Sequence, residues 1–433
     1  MIKLSRADGL SATLASSWNA NIRFAANQIS TVGSIENADL TVESWIGNRH
    51  ASVRTNDLSD ESLEQVVRQS EALARLSPAD PENLPLLGAQ AYKPVDAQFD
   101  STDNSTPEDR VRAALTALKL ARSSTDIDVA GFLVSGSDAV GVMNTAGLFA
   151  YHASSSNSYS VTARTRDGTG SGWAATNYPD WKALNFENVS TTAITKARVS
   201  RNPVAIEPGR YTVILEPAAA SDLLGLVSGA LNARAADEGR SAFTKAGGGN
   251  KIGEKIMDER VTLLSDPQDG LLLGQPFDDS GLPLSRQVWV EKGVLRQLAY
   301  NRFWAQKQGR QPTGGAQTLK IDGGPTSFFD MVKSTERGIL LTHLFYLRQV
   351  DPRTVVYTGL TRDGTFLIEN GKIARPIKNF RFNESPVLML NNLLAMGKPV
   401  RVSASESGNA GAPIVVPPLL LRDFNFTSLS DAV

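Results

Sequence analysis

A chain of 433 residues with 44 basic and 45 acidic side chains, formal charge -1, carries no electrostatic footprint for nucleic acid or an anionic lipid surface. Its 41% hydrophobic and 21% charged residues exclude disorder and a fibrous architecture, and its length asks for more than one hydrophobic core. With no cysteine, a disulfide framework, a thiol nucleophile and every thiolate metal site are excluded, which is compatible with a reducing cytoplasm.

Met1 to Leu10 has charges but no apolar stretch, so no export signal is read there. From Leu10 to Arg54 apolar residues recur two apart, as in Ala20-Ile22-Phe24 and Leu40-Val42, which predicts a meandering antiparallel sheet. Ser59 before Asp60 and Glu61 starts a helix carrying Leu63, Val66, Val67, Leu73 and Leu76, and Pro78 stops it. A second helix begins at Thr106 with Pro107 in first position and Asp109 three residues past the cap, burying Val111, Leu115 and Leu118. Strands are then expected over Ile127–Ser135, Ala139–Met143, Leu148–Ala153 and Tyr159–Arg164, with the serine-rich run Ser154–Ser158 read as a surface turn or flexible segment. A third helix is expected over Phe186–Ala197. Strands and helices in this order argue α+β rather than a doubly wound parallel sheet.

Near residue 200 the character changes. Pro203 and Pro208-Gly209 punctuate, and the strand Tyr211–Leu215 opens a second segment, so two domains are expected, 1–200 and 201–433. An alanine- and leucine-rich helix is expected over Ala218–Ala236, followed by hairpins turning at Lys292-Gly293 and Asn370-Gly371. Two capped helices are expected in the sheet, one from Ser327 closing at Gly338 and one from Ser385-Pro386 closing at Gly397. The densest apolar run, Ile414–Leu421, is short and broken by Pro417 and Pro418, so no membrane span is read. The second domain thus reads as β-rich with a few helices.

Chemistry is hard to find. His50, His152 and His343 are far apart, and none belongs to an HExxH-type pair. His343 lies in the apolar run Ile339–Leu347, where a satisfied buried imidazole is the simpler reading, and His50 near a turn reads as a solvated surface residue. Neither a G-x-S-x-G elbow nor an S-x-x-K in a convincing context is present. Gly248-Gly249-Asn250-Lys251-Ile252-Gly253 is followed by Glu254 where a phosphate-binding loop has lysine. The adjacent Asp278 and Asp279 point differently, and an Asx-turn before the next strand is the simpler account.

Several segments together resemble the TldD/PmbA family of peptidase-related proteins. The likeness is diffuse over Glu43–Val53 and Thr55–Ser59, sharpens at Glu207–Pro217 and Gly239–Ser241, and is strongest over Phe277–Pro283 through Leu298 and over Phe366–Pro376. The resemblance implies an N-terminal α+β domain, a β-rich C-terminal domain and pairing of a TldD-like with a TldE-like subunit around a chamber. Catalytic members of the family carry HExxxH on the helix after the Pro-Gly strand and a C-terminal cysteine, which together hold zinc, with the glutamate as general base. Here the matching helix reads Leu223-Leu224-Gly225-Leu226-Val227-Ser228-Gly229-Ala230. Gly225 and Ala230 stand in place of the histidines, Leu226 in place of the glutamate, and no cysteine exists. Such loss is typical of the PmbA (TldE-like) branch. One departure is the helix that opens family members before the first strand, which is nearly missing here.

The resemblance therefore implies a cytoplasmic, non-catalytic subunit of a two-subunit zinc metallopeptidase acting on unfolded peptides. It implies no metal or cofactor bound by this chain, with zinc only in a TldD-like partner. A homodimeric peptide-binding or regulatory protein without a catalytic partner is the competing expectation, since fold and function separate readily.

Overall fold

The computed structural model describes residues 2–402 and 413–430. After a single 3-10 turn at Ile2–Leu4, the first half builds one antiparallel sheet from β1 (Gly9–Ala25), β2 (Gln28–Ile46), β3 (Arg49–Thr55), β4 (Ile127–Asn144), β5 (Phe149–Thr165) and β6 (Ser171–Asn177). Their order is β3-β2-β1-β4-β5-β6. Alternation along these strands and the pairings Ala12↔Val42, Ile22↔Leu133 and Leu133↔Tyr159 put one apolar set on a single face. Helix α1 (Asp60–Leu76) covers one end of that face, with Val66 and Val67 on Leu10, Ala12, Leu40 and Val42. After the short α2 (Asp100–Asp103), helices α3 (Pro107–Arg122) and α4 (Phe186–Val199) cover the other end, packing Ala117, Leu118, Ala193 and Ile194 on Ile22, Phe24, Leu133 and Tyr159.

The caps are where the sequence places them. Ser59 accepts from the Ser62 amide, and Thr106 and Asp109 form a reciprocal capping box with Pro107 in first position. Of the three residues expected to face inward on α3, Leu118 is buried, while Val111 and Leu115 only flank a core contributed mostly by alanines.

The strand boundaries need correction. Ile127–Ser135 and Ala139–Met143 are one strand, as are Leu148–Ala153 and Tyr159–Arg164, and Ser154–Ser158 is mid-strand rather than a turn. Pairing runs unbroken from Ile127↔Thr165 to Met143↔Phe149. The small polar side chains are held by side-chain partners: Ser155 donates to Asp103, Ser135 to Asn157, and the Asn157 amide to Thr102 and to the carbonyls of Tyr178 and Pro179. Serine and asparagine here satisfy a sheet interior that no large apolar residue fills.

The second half opens with β7 (Gly209–Leu215), which leads through Glu216 into α5 (Pro217–Ala230). The expected single helix to Ala236 is broken at Leu231, and Asn232 caps a separate α6 (Ala233–Asp237) by accepting from the Ala235 amide. A six-stranded sheet combines β8 (Leu263–Ser265), β9 (Gln287–Glu291), β10 (Val294–Leu295), β11 (Leu319–Ile321), β19 (Val400–Val402) and β20 (Ile414–Val416), in the order β10-β9-β8-β11-β20-β19, with α7 (Arg302–Lys307) before β11. Helix α8 (Phe328–Ser334) starts at Ser327 as expected but stops short of Gly338. Gly338 belongs to β12 (Arg337–Leu341), where a Cβ would come within 2.8 Å of the Thr212 carbonyl oxygen on β7.

The remaining sheet has nine strands. It adds β13 (Leu344–Asp351), β14 (Val356–Thr361), β15 (Thr365–Glu369), β16 (Lys372–Pro376), β17 (Phe380–Glu384), β18 (Leu393–Met396) and β21 (Leu419–Leu429) to β7 and β12. Its order is β13-β14-β17-β21-β7-β12-β15-β16, with β18 alongside β21. The helix expected from Ser385 to Gly397 is only one turn, α9 (Pro386–Met389), because Leu393–Met396 pair with β21 instead. The apolar run Ile339–Leu347, which reads as one near-continuous strand, is likewise interrupted at Thr342 and His343. Both hairpin turns stand as read, with positive φ at Lys292, Gly293, Asn370 and Gly371. Strand exceeds helix, 41% against 23%, with an antiparallel N-terminal sheet and a β-rich C-terminal region, so the fold is α+β.

Candidate functional site

Helix α5 is positioned by burial. Ala219, Ala220, Leu223, Leu224 and Val227 enter the large C-terminal core together with Val213, Leu215 and Trp289. At its start Glu216 pairs with Lys196 of α4 at 2.6 Å. The three positions singled out in the sequence lie beside this buried stripe. Leu226 and Ala230 pack partly against the core, and Gly225 is half-buried, with room for a Cβ only 3.1 Å from Ile414 Cδ1. On a regular helix residues 225 and 230 are roughly 140° apart around the axis and ~7.5 Å apart along it. Hydrogen, methyl and isobutyl side chains offer no lone pair, and no group of three or more histidine, aspartate or glutamate residues with metal-binding geometry occurs among the described residues. The donor set here does not fit a zinc ion.

None of the three histidines lies on α5: His50 is on β3, His152 on β5 and His343 between β12 and β13. His50 stacks on Trp45 and lies between Glu43, 2.7 Å from Nδ1, and Asp80, 3.2 Å from Nε2. Burial would lower its pKa, but the two carboxylates outweigh this and raise it. His50 is therefore a paired residue, half-buried rather than freely solvated. His152 is buried within β5, where desolvation lowers its pKa.

His343 is buried, and its setting was not visible in the sequence. Its Nδ1–H donates to Asp363 Oδ2 at 2.9 Å, Asp363 Oδ1 accepts from Ser171 on β6, and the imidazole stacks on Trp173 of β6 with 4.5 Å between centroids. Nε2 has no hydrogen-bond partner among the described residues, so the imidazole is only half satisfied there. Burial pushes the Asp363 carboxyl up, but the His343 hydrogen bond and charge, the Ser171 hydroxyl and the Arg362 guanidinium bring it below the usual range. The serine bonds to the carboxylate and not to the imidazole, so this is no nucleophile–base relay. It fastens the N-terminal sheet to the C-terminal one.

Asp278 makes the Asx-turn. Its Oδ1 accepts from the Ser280 and Leu282 amides and the Ser280 hydroxyl, while Asp279 is exposed. This turn also joins the halves, because Phe277 is buried with Val142, Leu148 and Ala150, and Tyr92 donates to the Gly281 carbonyl at 2.6 Å. In the glycine loop Lys251 donates to the Ala242 carbonyl, and Glu254 pairs with Lys245 at 3.2 Å.

The model of the PmbA/TldA metallopeptidase C-terminal domain matches residues 208–428, more than half of the chain. The chain belongs to the PmbA/TldD family. Models of the same family's central domain and domain 1 match residues 100–201 and 14–74. Among curated relatives, a metalloprotease of Methanothermobacter thermautotrophicus is 28% identical over 183 residues, covering 38% of this chain and 39% of that one. A metalloprotease TldD homolog of Buchnera aphidicola is 26% identical over 182 residues, covering 38% and 36%. The chain thus spans about two fifths of the length of the curated relatives it matches. The crystal structure of TldE from Thermococcus kodakarensis superposes with a TM-score of 0.86 at 19% identity over 98% of this chain and 97% of that one, a likeness of fold.

Proposed function

We propose that this PmbA/TldD family chain is a non-catalytic, TldE-like subunit of a two-subunit zinc metallopeptidase that acts on unfolded peptides. The reading divides the chain into an N-terminal domain, 1–200, and a C-terminal domain, 201–433. One observation carries it: a regular, well-packed α5 presents Gly225, Leu226 and Ala230 where a hydrolytic site needs two imidazoles and a carboxylate. This chain would supply shape and extended-peptide contacts, and a TldD-like partner the zinc and its activated water. Edge strands such as β16 could hold such a peptide through main-chain hydrogen bonds. No helix among the described residues is long and apolar enough to cross a membrane, and we place the pair in the cytoplasm.

Co-expression with a TldD-like chain, followed by size measurement and purification through a tag on one chain, tests the reading. A one-to-one complex supports it. A homodimer indifferent to the added chain would favour the homodimeric peptide-binding alternative.

A further inference from the structure

Between α1 and α2 the chain runs from Ser77 to Phe99 with no helix or strand of its own, a strap that touches both halves and bridges to β5 at Ala97. On the C-terminal half it is held by Glu82, whose two oxygens each take Arg234 of α6 at 2.8 Å, by the Pro85 carbonyl, which accepts from Arg302 of α7, and by Tyr92. On the N-terminal sheet its start is held at the β2–β3 turn. There the Asp80 amide donates to the Asn48 carbonyl at 2.7 Å, Arg49 donates to the Ser77 carbonyl, and Asp80 Oδ2 meets His50 Nε2 at 3.2 Å. The other ring nitrogen, Nδ1, meets Glu43 of β2 at 2.7 Å. A neutral imidazole has one N–H and one lone pair, whereas ionised carboxylates only accept. Both ring nitrogens face carboxylates, so the contacts as they stand need the imidazolium.

We infer that His50 is a proton-operated clasp: charged, it fastens the start of the 77–99 strap to the N-terminal sheet, and neutral, it lets that segment go. The contact released is the one to Asp80. With a single N–H left, the shorter bond to Glu43 keeps it, and the Nε2 lone pair then faces the Asp80 carboxylate. Asp80 matters to the strap because its Oδ1 also accepts from the Glu82 amide at 2.8 Å and so orients the residue that grips Arg234. The other groups at this corner are engaged elsewhere: Trp45 stacks on the ring, Arg49 is turned to the Ser77 carbonyl, and Asp8 accepts from the Gly47 amide. Burial opposes the charged ring, Glu43 and Asp80 favour it, and the net effect raises its pKa. The clasp is therefore complete below the unfolded value of about 6.5 and is lost as pH rises through the folded value. None of these residues lies on α5, so the inference stands or falls independently of the proposed function.

The test is hydrogen exchange of the full chain, read by mass spectrometry on peptides spanning residues 77–86 and corrected for the intrinsic pH dependence of exchange. From about pH 6 to about pH 9 protection there should fall about two- to fivefold along a one-proton curve, the size expected for a pair whose side chains are each about one third exposed. The midpoint should match the titration of the His50 ring signal in NMR, identified by its absence in His50→Gln. His50→Gln should show the low protection already at about pH 6 and no step. Asp80→Asn, which keeps an acceptor for the Glu82 amide, should also lose the step. Circular dichroism checks that each variant folds, and the match of midpoints in the parent is a reading that needs neither variant to be stable. The inference is overturned if protection in the parent is unchanged across this range, if the step survives in either variant, or if its midpoint differs from that of His50.

Discussion

Replacing Asp363 with alanine removes the acceptor for two buried donors, His343 Nδ1–H and the Ser171 hydroxyl. A buried donor left unpaired costs about 1–3 kcal/mol, and alanine adds about 1 kcal/mol because Asp363 sits at φ 53°, a left-handed conformation aspartate and asparagine accept more readily. The expected loss is therefore about 3–7 kcal/mol. An Asp363→Asn variant keeps the shape and tolerates the φ, and its side-chain oxygen can accept from His343 Nδ1–H while its amide donates to the Ser171 oxygen, so a loss of about 1 kcal/mol is expected. Acid separates the two effects. The Asp363 carboxyl is held below its unfolded value, so its contribution is complete above about pH 4 and fades as pH falls through the folded value. The asparagine variant should lack that part of the acid dependence. Urea denaturation at several pH values and calorimetry read both quantities; because the residue joins the two sheets, the alanine variant should also split a single calorimetric transition. Equal stability of the alanine variant and the parent would refute the argument, as would equal losses in both variants.

Gly229 is exposed inside α5 with nothing within 4 Å of an added Cβ, so Gly229→Ala should stabilise the chain by about 0.5–1 kcal/mol, read as a raised urea midpoint. The Asp109 carboxyl is pulled to about 2 by hydrogen bonds from the Thr106 backbone and side chain and from Arg112. Its stabilisation is therefore present above the unfolded value and lost as pH falls toward 2, and Asp109→Asn should remove that acid-sensitive component from thermal melts between about pH 4 and 2. The triple variant Gly225→His, Leu226→Glu, Ala230→His restores two imidazoles and a carboxylate but no third ligand. Metal analysis after gel filtration should find no retained stoichiometric zinc, and tightly held zinc would reveal a further donor within reach of α5.

Elements that announce themselves through local chemistry were legible in the sequence. Ser59, Thr106-Pro107 and Ser327 begin helices because each cap needs only residues three positions on, and Lys292-Gly293 and Asn370-Gly371 turn because their φ values suit them. Long-range compensation was not legible. Ser154–Ser158 reads as a turn until Asp103 is seen to receive Ser155 and Ser137. Ser171 and Asp363, 192 residues apart, meet only because β6 packs beside the β14–β15 turn, and no local pattern encodes that. Leu393–Met396 reads as helix in the sequence because its strand partner, β21, lies more than twenty residues on. For α5 the missing donors were readable from residue identity alone, whereas the open surroundings of Gly229 and the contact of Gly225 with Ile414 needed the fold.

Zinc stoichiometry tests the central claim most directly. The purified chain should hold none and cleave no unfolded peptide. Its complex with a TldD-like subunit should hold one zinc per pair and be active, with both lost when the partner's HExxxH histidines are replaced. Chelator-sensitive proteolysis by this chain alone, with a full equivalent of zinc, would contradict the account.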